Sequence, residues 1–136
     1  MSTIFTKIIS KEIPADIIYE DEHVLAFLDI NPIKKGHALV VPKVAYENIF
    51  DCDTMTLSHM VEVAQKIARA QVATLGAKGV NLQMNNGHEA DQDIPHAHIH
   101  VIPRFARFEA FVRASHEAYT DGEGAHLAEI LKKAIA

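Results

Sequence analysis

Between Pro95 and Arg104 the chain reads PHAHIHVIPR, in which histidine alternates with small or apolar residues. Alternation at period two marks a strand with two unlike faces. On such a strand His96, His98 and His100 share one side, while Ala97, Ile99 and Val101 take the other. The apolar side requires a core to pack on, and the imidazole side requires a cleft or water. Any fold for this chain must therefore back one strand into a core and line its other face with three of the nine histidines.

The rest of the chain supplies that core. Ser2 is the expected cap of a short helix running through Glu12, with Ile4, Phe5, Ile8 and Ile9 along one side and Pro14 as its stop. DIIYED and HVLAFLDI read as two strands joined at the acidic turn Asp21-Glu22. NPIKKG supplies the loop residues Asn31, Pro32 and Gly36, and HALVVPK is the third strand. From Thr54 to Leu75, the residues Leu57, Met60, Val61, Ala64, Ile67, Ala68 and Leu75 recur at helical spacing, with Gly76 placed to end the helix. GVNLQMNNG reads as the next strand, with a turn at Asn86-Gly87. The loop HEADQDI follows, and the histidine strand is expected to start through Pro95. Beyond Phe105 the pattern has no clean period until a final short helix, AHLAEILKKAIA. Strands in hairpin-like succession, interrupted by one long helix, predict an α+β fold built on an antiparallel meander. The 136 residues are expected to form one domain, with 105–136 as a divergent tail.

Charge narrows the partners. The net charge of −5 gives no bulk positive field for nucleic acid or anionic lipid. An anionic ligand must then be held by a local cluster of donors. No apolar run approaches the ~18 residues of a membrane span, so no membrane partner is expected. Lys7, Lys11 and Glu12 interrupt the N-terminal apolar stretch in a way that fits neither a signal nor a transit peptide. The single cysteine, Cys52, allows no internal disulfide and no thiolate metal framework. It accords with a reducing compartment, and the cytoplasm is the expected location.

Geometry limits what three alternate histidines can do. At ~3.3 Å per residue, neighbours in the triplet stand roughly 6.6 Å apart at Cα and the outer pair roughly 13 Å. With Zn–N bonds near ~2.0 Å, all three cannot ligate one zinc from a straight strand. A zinc site would need two of them plus His37, His88 or Asp29, and that alternative remains open here. A row of inconsequential solvent-facing residues would not need strict alternation beside a loop of Asn, Asp, Gln and Gly. A pH sensor would need no such loop aimed at a ligand. Chemistry at phosphorus uses every feature. Clustered imidazoles suppress one another's charging, so at least one stays neutral near neutral pH and is nucleophilic, while a neighbour donates to a phosphoryl oxygen or a leaving group. His98, flanked on both sides, is the expected nucleophile, forming a nucleotidyl-imidazole that water opens.

HAHIHVIPR, together with IFTKIISKEIPADIIYEDEHVLAFLDINPIKKGHALVVPK and NLQMNNGHEADQDIPHAHIHVIPR, resembles the histidine triad family of nucleotide hydrolases and transferases, and its Hint-type branch in particular. The similarity runs from about Ile4 to Arg104. It implies a mainly antiparallel five-stranded sheet with helices, usually as a homodimer. It also implies a purine nucleotide pocket beside the triad and hydrolysis at the α-phosphorus of phosphoramidates or related nucleotides. His98 matches the family nucleophile. His96 and His100 match the flanking members that contact phosphate and orient the nucleophile, and His37 matches a fourth histidine lining the site. Asp29 matches the carboxylate that binds the ribose hydroxyls. Ile4, Phe5, Ile8, Phe27 and Ile30 match the apolar walls around the base. Asn85, Gln92 and Asp93 match polar positions near the phosphate. No cofactor is implied.

The sequence also departs from the family. Ala90 and Asp91 replace two glycines of the phosphate loop, and Asp93 stands where a hydroxyl usually meets the phosphate. Slower turnover or an altered leaving-group preference is the expected result. Some bacterial members hold a structural zinc through a Cys-x-x-Cys and histidines. Here Thr3, Thr6 and Ala45 occupy three of those positions, so no structural metal is expected. A purine nucleoside 5′-phosphoramidate hydrolase is the leading expectation. Dinucleoside polyphosphate hydrolysis is the second, because VIPR resembles that branch. A nucleotide-binding interaction protein with vestigial catalysis is the third.

Overall fold

The structure is a computed structural model that describes residues 2–107, 109 and 116–136. Its first element is the helix α1, Ile4–Ile9, capped by Thr3 and not by Ser2. Thr3 Oγ1 accepts from the Thr6 N–H at 3.3 Å while Thr6 Oγ1 accepts from the Thr3 N–H at 2.8 Å, a reciprocal capping box. The helix ends at Ile9, well before Glu12, because Lys11 turns left-handed at φ 67° and its N–H returns to the Ile8 carbonyl. Pro14 plays no part in the stop.

Strands β1 (Ile17–Glu20) and β2 (Val24–Leu28) form the expected antiparallel hairpin. Its turn is fixed by Asp21, whose Oδ1 accepts from the His23 and Val24 amides at 2.8 and 2.9 Å. Strand β3 (Ala38–Pro42) pairs antiparallel with β2. The helix α2, Thr54–Leu75, then crosses the sheet, with Asp53 as N-cap and Gly76 at φ 75° as its left-handed C-cap. Its buried stripe is Met60, Val63, Ala64, Ile67, Ala70 and Gln71, whereas Val61 is 47% exposed. The face is rotated from the one the apolar spacing suggested, because the small Ala64 and Ala70 let the helix sit close to the sheet.

Strands β4 (Gly79–Gln83) and β5 (Ile99–Arg104) form a second antiparallel hairpin, giving the order β1-β2-β3-β5-β4. The first three strands are a meander, and α2 carries the chain one position past β3 so that β5 returns between β3 and β4. The last helix, α3 (Glu123–Ile135), begins two residues before the expected start, with Glu123 in its first turn and Lys132 and Lys133 in its last, both favourable to the helix dipole. It packs on α2 and β1, and its Ala128 and Leu131 enter the same core as Met60 and Ile67. Of the tail, Phe108 and residues 110–115 lie outside the described residues.

Period two along the central strands sends residues to two cores. Val24, Ala26, Leu28, Ala38, Val40, Ile99 and Val101 face α2. Leu25, Phe27, Leu39 and Val41 face α1, where they meet Phe5 and Ile8. The second face carries the histidines.

Candidate active site

Leu39 pairs with His100 across β3 and β5, which places the imidazole on the α1 side of the sheet. His98 stands one step before the strand on the same side, with the Phe5 ring edge-on at 5.0 Å and the His100 ring also at 5.0 Å. The histidine run therefore has the expected facing, but the strand proper starts at Ile99 and not at Pro95. The reason lies in β3. Pro42 has no amide to extend the ladder, and its carbonyl is taken by the His96 side chain, whose Nε2–H donates at 2.8 Å. Pro95 sits in a tight turn closed by the His96 N–H on the Ile94 carbonyl.

These side chains open on a cavity of about 440 Å³, a size suited to a small-molecule ligand. Its apolar walls include Ile4, Phe5, Ile8, Phe27 and Ile30. Its polar walls include Asp29, Asp93, His37, His98, His100 and His116. Three sequence-expected residues stand outside the lining. His96 is fully buried behind the site. Asn85 donates to the Asp91 carbonyl at 3.4 Å. Gln92 braces its own loop: it donates to the Glu47 and Ile94 carbonyls and accepts from the Gly87 backbone N–H and the Asn48 side-chain amide. His116, in the aperiodic tail, carried no signal in the sequence.

The hydrogen bonds fix the protons. His98 Nδ1–H donates to the His96 carbonyl at 2.7 Å, so in the neutral ring Nε2 carries the lone pair. The backbone of His96, more than its ring, thus orients His98. The Ile33 N–H donates to His37 Nδ1 at 3.1 Å, which puts the His37 proton on Nε2. That proton is directed to His100 Nδ1 at 2.9 Å, and His100 in turn holds its own on Nε2. Burial, then the neighbouring His100, press His37 down to about 3, so it stays neutral. Burial also lowers His96.

Behind the site, Gly36 turns at φ 95°, where any Cβ would collide with Cδ1 of Leu75. Gln71 of α2, a residue the apolar spacing passed over, donates to the Gly36 and Val101 carbonyls at 3.0 Å each. It ties the residue before His37 to the residue after His100.

Asp29, His37 and His100 bring one ligand atom each within 4.8 Å of one another. A metal there would need the lone pair of His37 Nε2, the nitrogen that the Ile33 amide obliges to carry a proton. The set offers two lone-pair donors where three are required. His88, the other candidate, is exposed on the turn His88–Ala90.

A cavity walled by both apolar side chains and several histidines is the kind of site that takes a flat heterocycle tied to an anionic group. The chain belongs to the HIT domain family, whose pattern matches residues 10–107. That family is one of nucleotide-binding hydrolases and transferases, generally acting on nucleotide phosphoester bonds. A HIT-like protein of Methanocaldococcus jannaschii is 49% identical over 102 residues, 75% of this chain and 78% of that one. Adenylylsulfatase HINT3 of Arabidopsis thaliana is 39% identical over 104 residues, 76% of this chain and 53% of that one. The crystal structure of a zinc-bound histidine triad family protein from Mycobacterium smegmatis superposes with a TM-score of 0.89 at 36% identity, covering 99% of this chain and 94% of that one. Among the described residues no helix is long and apolar enough to cross a membrane.

A structural zinc does not fit the residues of this chain. The hydroxyls of Thr3 and Thr6 close the capping box, and Ala45 contributes only a methyl group. The Ala97 N–H bonds to the Tyr46 carbonyl, which brings this segment beside the triad. Nδ1 of His96 is buried there with no hydrogen-bond partner among the described residues. One imidazole lone pair, with Thr3, Thr6 and Ala45 supplying neither thiolate nor imidazole, is not a zinc set.

Proposed function

We propose that this chain hydrolyses purine nucleoside 5′-phosphoramidates at the α-phosphorus through a covalent nucleotide on His98. The observation that carries this reading is the bond from His98 Nδ1–H to the His96 carbonyl, because it puts the lone pair of the neutral ring on Nε2 of a side chain that lines the cavity. The base lies against Ile4, Phe5, Ile8, Phe27 and Ile30, the ribose meets Asp29, and the α-phosphate reaches the histidines. His98 Nε2 attacks phosphorus, forming an N–P bond as the bond to the leaving nitrogen breaks, and the amine departs with a proton from solvent. The positive charge that develops on His98 is stabilised by the His96 carbonyl. The Nε2–H of His100, oriented through His37, donates to a phosphoryl oxygen. Water then displaces His98 from phosphorus, releasing the nucleoside monophosphate and restoring the lone pair.

The name of the Arabidopsis relative, an adenylylsulfatase, supports scission at an adenylyl phosphorus. A homodimer accords with the exposed Val61 and Val72 on α2 and the exposed Leu82 on the edge strand β4. Rapid quench with adenosine 5′-phosphoramidate, followed by mass spectrometry, should show an adenylyl group on His98. Modification elsewhere, or turnover without it, overturns the mechanism. Diadenosine polyphosphates assayed in parallel should turn over more slowly, and the reverse order would reassign the leaving group.

A further inference from the structure

The segment from His116 to Tyr119 crosses the loop that bears the site. The His116 Nδ1–H donates to the Asn31 carbonyl. Beside it the Glu117 N–H donates to the Pro32 carbonyl at 2.8 Å, the Lys35 N–H donates to Glu117 Oε1 at 2.7 Å, and the Gly36 N–H donates to the Tyr119 hydroxyl at 2.8 Å. Four bonds between segments more than 80 residues apart hold one imidazole in the wall of the cavity. Such anchoring fixes the ring at low entropic cost on binding.

The anchor also decides what the ring offers. With Nδ1–H on Asn31, the neutral ring presents Nε2 as an acceptor, and Nε2 meets no partner among the described residues. The other side of Asn31 leads to Asp29, whose Oδ1 accepts the Asn31 N–H at 2.9 Å. The two side chains thus flank Asn31, and all three residues line the cavity. A ribose presents two vicinal hydroxyl donors, and the carboxylate facing them is already partly engaged.

We propose that His116 is a specificity-determining residue of the nucleotide site, its Nε2 accepting a hydrogen bond from a ribose hydroxyl of the bound nucleotide. The proposal rests on the reading of the cavity as a nucleotide site. The test is titration of AMP, 2′-deoxy-AMP and 3′-deoxy-AMP against the wild type, His116→Asn and His116→Ala. Asparagine keeps a donor for the Asn31 carbonyl but has nothing at the Nε2 position, so it separates anchoring from ligand contact even where alanine loosens the loop. In both variants the preference for AMP over one deoxy analogue should shrink roughly three- to tenfold, the worth of one neutral hydrogen bond, with affinity for that analogue unchanged. If both variants keep the wild-type preference over both analogues, or if His116→Asn weakens all three nucleotides equally, the proposal is wrong. Failure of the wild type to bind AMP at all would instead remove the nucleotide reading beneath it.

Discussion

Nε2 of His37 and Nδ1 of His100 lie 2.9 Å apart, with the single proton between them assigned to His37 by the amide of Ile33. A proton on His37 Nδ1 would oppose that amide, so charging this ring breaks the relay. The folded chain holds His37 near 3, chiefly through burial and then through His100, against an ordinary value of 6.5. As pH falls the unfolded chain therefore takes up the proton first. Stability is complete above about 6.5 and is lost between there and about 3. One such group costs up to about 1.4 kcal/mol per pH unit across that window. Urea melts from neutral pH down to about 4 should show the slope, and His37→Asn, which keeps an acceptor for Ile33, should flatten it by about one proton.

His98→Ala should lower hydrolysis by at least about a thousandfold while leaving AMP affinity within a few-fold. Turnover at the wild-type rate in this variant would support neither the nucleophile nor the covalent intermediate.

Gln71→Leu removes the amide that joins Gly36 to Val101. Two buried carbonyls lose their donor, at a cost of about 1–3 kcal/mol. Because these carbonyls adjoin His37 and His100, kcat should fall more than KM rises. An unchanged kcat alongside a lowered urea midpoint would make Gln71 a purely structural residue.

Asp93 lines the cavity. A carboxylate near a bound phosphate repels it, so Asp93→Ser should raise kcat/KM roughly threefold, more at low salt than at high. Identical constants for the two proteins would mean that this charge is not felt at phosphorus.

Exhaustive treatment with EDTA should leave both the melting temperature and the turnover number unchanged, and metal analysis should find substoichiometric zinc. Stabilisation by added zinc would show that the chain holds a zinc set that Thr3, Thr6 and Ala45 do not supply.

The sequence was most legible where periodicity is enforced by burial. The helix Thr54–Leu75 has its expected bounds, with Gly76 closing it, and the facing of His96, His98 and His100 follows from alternation alone. It was least legible where one polar contact overrides the pattern. The Thr3 capping box displaced Ser2, the left-handed Lys11 shortened α1, and the proline at position 42 delayed the start of β5. Within the candidate site, alternation cannot distinguish a ring that faces a cavity from one that braces a carbonyl, so His96 looked like its neighbours. Gln92 and Asn85 stand outside the cavity lining, and an amide gives no sign in sequence of how many of its bonds are local. His116 and Gln71 depend on contacts across 85 and 35 residues, a distance at which sequence spacing carries nothing.

The imidazole pair at positions 37 and 100 closes a span of 63 residues, and the whole α2 crossover lies inside it. During synthesis the first half of the candidate site leaves the ribosome long before the second half exists. No amount of early folding in the β1–β3 meander can hasten its completion. A nascent polypeptide halted before β5 thus lacks half of the histidine cluster, however ordered it has become. The cluster is completed late and all at once, when one returning strand slots into the gap left for it.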